Sequence, residues 1–468
     1  MSQNPQLPDY VASAQPNPQN KRAGWLTTTA AGYAGVMLWF AFWQDVPTGG
    51  QGVSGGTLAS GLPLAIGALI LAALLCHFLY YLVPGLLGMK TGLPLAVVGT
   101  STYGVTGGYL MPGLLMGLLQ FGWLSVNAYF AGLLLADPFL AGNLKEAAGT
   151  PLHCGIGIVW ALIAMFIGLK GIQYVGKISS FMPIIPIVIL VILLVKTIGA
   201  AGSFDAAKIP DVAENGVKLY GSQSLGVVSL MCTYVIGFFA TAGAAGVGFG
   251  SANQDKKAVQ MGGLVGVVLP TIASGSIALI VVASQSHSGV ASTTSLLNTI
   301  LDDKFGAVCM FLLAISAFPS ACFCTLIAAD CIKTSFPKIN PWVSCGLGVL
   351  AAIILVVTGL AGEAGAVFTV IGASFGPICG AMAADYFLSG KKWAGPRAGF
   401  NPAGWLSWLF GFIVGGATLV VTNLGGTMPF EIPCPPLSAF IVGFVLYLIF
   451  AKAGLESQKL NLPQRIDN

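Results

Sequence analysis

The sequence predicts an all-α polytopic membrane protein with about twelve transmembrane helices. Three observations carry this. Only 8% of the 468 residues are charged, where a soluble domain carries roughly a quarter. Apolar runs long enough to cross a ~30 Å hydrocarbon core as a helix recur from Leu26 almost to the C-terminus. The runs are also continuous, without the alternation that a membrane barrel requires.

In chain order the spans fall near residues 26–46, 62–84, 107–135, 155–169, 179–200, 222–248, 261–284, 305–331, 341–360, 364–388, 404–422 and 436–452, numbered here as segments 1 to 12. Residues 1–25 read as a disordered cytoplasmic tail: the first twenty are rich in Pro, Gln and Asn. Lys21 and Arg22 anchor the first span rather than preceding a cleaved signal. The transmembrane domain covers 26–452, and 453–468 is a C-terminal tail. With the N-terminus inside, only Lys145, Lys196, Lys208, Lys218 and Lys304 fall outside, which leaves 15 of the 20 Lys and Arg residues inside. That asymmetry places both termini in the cytoplasm of a chain integral to the plasma (inner) membrane.

Several function classes are excluded at this level. The formal charge of +4 is spread over the inner loops, so it implies membrane lipid and no nucleic acid as partner. The 10 cysteines lie almost wholly in apolar segments without metal-ligand spacing and read as small buried hydrophobes. No Gly-rich phosphate loop ending in Lys-Ser/Thr occurs. An intramembrane enzyme would need paired carboxylates, a His cluster or a Ser/His couple in the bilayer. The 3 histidines are scattered, so the chain is not expected to be an enzyme, and no cofactor is expected.

Four segments carry chemistry. Segment 1 ends in Trp39-Phe40-Ala41-Phe42-Trp43-Gln44-Asp45 and a Gly/Ser/Thr stretch, and segment 6 holds five glycines between Gly237 and Gly250. Interrupted helices at matching places in two halves point to a transporter of inverted repeats with a mid-membrane site. The alternative for segment 6 is a close-packed Gly-rich helix. In segment 3, Gln120, Trp123 and Asn127 share one helix face. Two amides around an indole offer a flat heterocycle a stacking surface with donors and acceptors; the alternative is a helix–helix hydrogen-bond network. In segment 8, Pro319 frees the carbonyl of Ile315, and Ser316 and Ser320 lie on the same face. Such converging hard oxygens suit a small cation, or else serine simply satisfies a proline kink. Asp45, Asp330 and Asp385 sit near helix ends and His77 is the one histidine within a span. Sodium therefore ranks ahead of a proton as the coupling ion, with Asp45 the residue able to reverse that order.

Lys90-Thr91-Gly92-Leu93, Gln120-Phe121-Gly122-Trp123, Gly376-Pro377-Ile378-Cys379-Gly380 and Ala384-Asp385-Tyr386-Phe387-Leu388 together resemble the first nucleobase–cation symporter family, nearest to bacterial cytosine permease and its purine–cytosine relatives. The resemblance runs from about residue 26 to 452. It implies a leucine-transporter-type fold, in which ten of the helices form a 5+5 inverted repeat and helices 1 and 6 are broken. It also implies that Gln120 and Trp123 supply the amide and stacking indole of a substrate site. Phe239, with Phe238 beside it, supplies the facing aromatic, and Phe40 and Ala41 lie near the stretch that lends an aromatic and cation-binding carbonyls. The departures fall in segment 8. Ser316 stands where cytosine permease has an asparagine, Pro319-Ser320 replaces a threonine pair, and Ala321 replaces a second asparagine. Substrate contacts are thus expected at Gln120, Trp123, Phe238, Phe239, Phe40, Ser316 and Ala321, and cation contacts at Ser320, Ser316 and Ala41. The function expected is import of a nucleobase or related planar heterocycle driven by a cation gradient; the alternative is a carrier of amino acids or other small solutes on the same fold.

Overall fold

The computed structural model describes residues 7–25, 49–50, 53–54, 56–140, 147–170, 184–208, 223–285, 303–336, 338–428 and 432–461, with a few isolated positions between. Ten of its helices are long and apolar enough to cross a membrane, and an eleventh is shorter. In chain order they are α1 (Leu62–Thr91), α2 (Tyr109–Phe139), α3 (Pro151–Lys170), α4 (Ile184–Ala201), α5 (Gln223–Ser251) and α6 (Lys256–Gln285). Then come α7 (Asp303–Ser335), the shorter α8 (Pro341–Val357), α9 (Ala364–Leu388), α10 (Pro402–Asn423) and α11 (Pro435–Lys452). They correspond to segments 2 to 12. Segment 1, with Phe40, Ala41 and Asp45, lies outside the described residues. A pairing of Gly49–Gly50 with Val53–Ser54 is the only sheet among the described residues.

The helices sort into two packed groups. α2, α3, α7 and α8 pack against one another, while α1, α5 and α6 form the second group, with α4 against α6. α9 lies along α5 on one side and along α10 and α11 on the other. Segments 3 and 8, which stand five spans apart, become the tightly paired α2 and α7. Among the described residues, apolar side chains such as Val195, Leu347 and Ile413 are exposed around the periphery, as a lipid-facing surface requires.

Segment 6 does not break. α5 is one helix from Gln223 to Ser251, and its glycines are contact surfaces. A Cβ on Gly237 would lie 2.5 Å from the Phe368 carbonyl oxygen of α9, and one on Gly243 would lie 2.6 Å from Cβ of Tyr80 on α1. Gly250 abuts the backbone of Gly85. Small residues let these backbones approach where no bulk hydrophobic force drives helices together in lipid. The helical irregularities occur elsewhere: π turns at Cys76–Tyr81, Tyr109–Leu114 and Leu264–Val268, with Met111 non-helical in the second.

The tail expected to be disordered is placed from residue 7 onward. Tyr10 donates to the Val105 carbonyl at 2.6 Å, the Asn17 backbone N–H to Gly92 at 2.8 Å, and Asn17 Nδ2 to Ser251 at 2.9 Å. Ala23 runs beside Asn253 as a parallel bridge, and Arg22 reaches the Met89 carbonyl. Met89, Gly92 and Ser251 lie at the C-terminal ends of α1 and α5, whose last carbonyls a helix cannot satisfy by itself.

The same end of the bundle holds a buried ion-pair cluster. Arg397, 1% exposed, meets Asp385 Oδ1 at 3.0 Å and Glu456 Oε1 at 2.6 Å. Ser101 and Thr102 donate to Asp385 Oδ2 at 2.6 and 3.2 Å, and Tyr447 donates to Glu456 at 3.1 Å. Burial opposes the charge on Arg397, but the Asp385 carboxylate, with Tyr447 and Glu456, outweighs it and holds the guanidinium above its ordinary range. Arg397 also pairs with Lys459 through an antiparallel bridge, so the C-terminal tail is stitched to the α9–α10 connection. Asp385 is therefore a structural anchor within its Ala384–Leu388 motif.

Candidate functional site

An indole at mid-span needs an acceptor for its N–H and partners for its faces, and Trp123 finds both across three helices. Its Nε1 donates to Thr241 Oγ1 of α5 at 3.0 Å. Phe238 of α5 meets the indole edge-to-face with centroids 5.1 Å apart, and Phe368 of α9 lies over it at 5.3 Å with 35° between the planes. Phe238 and Phe368 are themselves perpendicular at 5.7 Å, and Tyr234 closes the cluster against Phe368 at 6.0 Å. Phe368, Tyr234 and Thr241 are buried, whereas Trp123 and Phe238 remain half-buried. The result is an aromatic box where α2 of one helix group meets α5 of the other.

One turn along α2 a second cluster forms. Asn127 Nδ2 donates to Ser320 Oγ at 2.9 Å and to the Ala317 carbonyl at 3.1 Å, both on α7. Asn127 Oδ1 accepts from Trp160 Nε1 of α3 at 2.9 Å, and Phe318 meets the Trp160 ring edge-on at 4.9 Å. An indole nitrogen can only donate, so the amide oxygen must face Trp160 and the NH₂ must face α7.

The residues expected from the sequence separate in space. Trp123 and Phe238 meet; Phe239 is buried one position on, and the ring contacts of Trp123 among the described residues are to Phe238 and Phe368. Gln120 is buried, with Nε2 3.5 Å from Met116 Sδ on its own helix. On α7, Pro319 is carried inside a continuous helix. There each serine hydroxyl turns back to a carbonyl three residues earlier on its own helix. Ser316 Oγ donates to Leu313 and Ser320 Oγ to Ala317, each at 2.7 Å. Ser316 and Ala321 are buried and Ser320 is half-buried. Sequence reasoning missed Thr241, Phe368 and Trp160. Trp160 carried a readable signal, since an indole in the middle of segment 4 must find an acceptor; Phe368 sits in an apolar run and carried none.

A family model for permeases of cytosine and purines, uracil, thiamine and allantoin matches residues 27–394. The chain belongs to this family. It is accordingly a membrane transporter and not an enzyme. No curated protein matches the permease. Among solved structures it resembles the inward-facing conformation of Mhp1, with a TM-score of 0.64 and 15% identity over 98% of this chain and 97% of that one. It also resembles Mhp1, described as a nucleobase-cation-symport-1 family transporter, closed with bromovinylhydantoin bound, with a TM-score of 0.65 and 14% identity over 95% of each chain. A substrate-bound, outward-open Na⁺-coupled sialic acid symporter matches with a TM-score of 0.52 and 13% identity, over 97% of this chain and 93% of that one. At these identities the likeness concerns the fold, which is of the leucine-transporter type.

Proposed function

We propose that the permease imports a nucleobase or a related planar heterocycle together with a cation, sodium rather than a proton, across the plasma (inner) membrane with both termini in the cytoplasm. The observation that carries this reading is the Trp123 box: an indole held by Thr241 at 3.0 Å between Phe238 and Phe368. Aromatic faces at mid-span accept any flat ring, because every base has a π-face. Gln120, buried three residues before Trp123, supplies the amide that reads the substrate edge; Phe239, Phe40, Ser316 and Ala321 complete the proposed contacts. Ser320, with Ser316 and Ala41, is proposed to hold the cation. Support for cation coupling comes from the family and from the description of Mhp1 as a nucleobase-cation symporter. Moving one charge across 100 mV is worth ~2.3 kcal/mol, or ~50-fold accumulation.

Uptake of labelled uracil, cytosine, hypoxanthine and allantoin into proteoliposomes, with and without a sodium gradient, tests the reading. Accumulation of at least one of them that collapses without sodium is expected. Indifference to all four, or uptake that follows a pH gradient alone, contradicts it.

A further inference from the structure

Ser320 Oγ and the Ala317 carbonyl are two oxygens converging on one point, and in this structure that point is held by the Asn127 NH₂ group, at 2.9 and 3.1 Å. Ser320 spends its own proton on Ala317 at 2.7 Å, so the lone pair that faces Asn127 is already accepting. A cation entering this bite has to displace the amide. Asn127 also shares a helix face with Trp123, one turn away, so the box and the bite stand on the same side of α2. Trp160 Nε1 holds the amide oxygen at 2.9 Å, so an amide recruited to the box gives up that bond together with its two bonds to α7.

We propose that Asn127 is the positioning residue that couples substrate to cation: its amide closes the Ser320–Ala317 bite when the box is empty and releases it when a heterocycle recruits the amide. The inference rests on the proposed function and deepens it. The amide acts as an internal stand-in for the cation, since an N–H donor and a small cation both seek the same pair of oxygens. Substrate binding removes that competitor, so substrate and cation raise one another's affinity, as linkage demands.

The test measures binding of radioactive sodium to the purified full-length protein, with and without saturating uracil as the probe heterocycle. In the wild type uracil should tighten sodium binding, within the ~5- to 150-fold range usual for coupled sites. Asn127→Ala should bind sodium about fivefold more tightly than wild type without uracil, the equivalent of one ordinary hydrogen bond removed from the competitor. Uracil should then add nothing. Because that variant leaves the Trp160 indole without its acceptor, Asn127→Ala/Trp160→Phe is measured beside it and should behave the same. Sodium affinity that is unchanged or weaker in both variants overturns the inference, as does an uracil effect of wild-type size. Failure of the parent reading looks different. If wild-type protein binds sodium but neither uracil nor any other heterocycle of the panel, the nucleobase assignment falls, while the sodium affinities of the variants still decide the role of Asn127. A wild type that binds no sodium overturns both.

Discussion

Trp123 Nε1 donates to Thr241 Oγ1 at 3.0 Å, and through that bond α2 of one helix group is tied to α5 of the other at the middle of the membrane. The bond fixes the indole plane before any substrate arrives. Thr241→Val keeps the shape and loses the acceptor, at a cost of about 0.5–1.5 kcal/mol, so heterocycle affinity should fall about 2- to 10-fold, whereas Thr241→Ser should retain it. Trp123→Ala removes the stacking surface itself, worth ~1–3 kcal/mol per base, and should weaken binding about 5- to 150-fold. Equilibrium binding of labelled uracil decides both. Wild-type affinity in Trp123→Ala would reduce the box to packing.

Phe238 and Phe239 are adjacent on α5, yet the ring that meets Trp123 is Phe238, at 5.1 Å. Replacing either with leucine keeps most of the apolar volume and removes the aromatic face. Phe238→Leu should lower heterocycle binding with little change in thermal stability, since an edge-to-face pair is worth about 0.5–1.5 kcal/mol beyond its area. Phe239→Leu is the informative partner. Transport at the full rate in Phe239→Leu, beside loss in Phe238→Leu, would assign the facing aromatic to Phe238 and remove Phe239 from the site.

A glycine count suggested that segment 6 unwinds, and the contacts of α5 replace that with close packing. Gly237→Ala would bring a Cβ to 2.5 Å from the Phe368 carbonyl oxygen, whereas a Cβ on Gly248 meets nothing within 4 Å. Overpacking of this kind costs typically 1–3 kcal/mol. Thermal melting in detergent should show Gly237→Ala less stable than wild type and Gly248→Ala unchanged or more stable. The reverse order would mean that α5 is broken at Gly237 in the membrane.

Membrane spans were legible because their determinant is one-dimensional: a run of apolar residues either is or is not long enough, and each of α1 to α11 coincides with an expected segment. The aromatic stripe was legible for the same reason, since Trp123 and Asn127 are one turn apart on a single helix. What the sequence did not reveal is pairwise. Nothing local marks Phe368 as the ring over Trp123, or Asn127 as the donor that meets Ser320. The two segment 8 hydroxyls illustrate the limit: their spacing put them on one face, but each turns back to a carbonyl three residues earlier. The docking of residues 7–25 was equally invisible, because it depends on unsatisfied carbonyls at the ends of α1 and α5 rather than on the composition of the tail.

Asp385 is held by Arg397 at 3.0 Å and by Ser101 and Thr102 at 2.6 and 3.2 Å, all out of contact with solvent. Removing one partner strands the other as a buried charge, which costs about 3–5 kcal/mol. Asp385→Ala and Arg397→Ala should each melt well below wild type and expose the C-terminal tail to protease after residue 453. The double variant should cost less than the sum of the two, because it strands neither Asp385 nor Arg397 and leaves only the partly exposed Glu456 without its cation. Additive losses would show that the pair contributes through packing alone.

The final prediction separates the two candidate coupling ions. If Ser320 Oγ is a sodium ligand, Ser320→Ala should raise the sodium concentration needed for half-maximal uptake by about one hydrogen-bond equivalent or more, 2- to 10-fold, while heterocycle binding at saturating sodium stays near wild type. The same substitution also removes the oxygen that accepts from Asn127 at 2.9 Å, so the heterocycle should no longer compete for a tethered amide, and the residual dependence of its affinity on sodium should flatten. Asp45→Asn is the contrasting measurement. A carboxylate that carries a proton across the membrane cannot be replaced by an amide, whereas a solvated carboxylate at a helix end can. Sodium-dependent uptake that survives Asp45→Asn and weakens in Ser320→Ala supports sodium. Uptake that ignores sodium, follows a pH gradient and disappears in Asp45→Asn would mean that this permease runs on protons, and that the serine and proline of α7 mark a cation site given up.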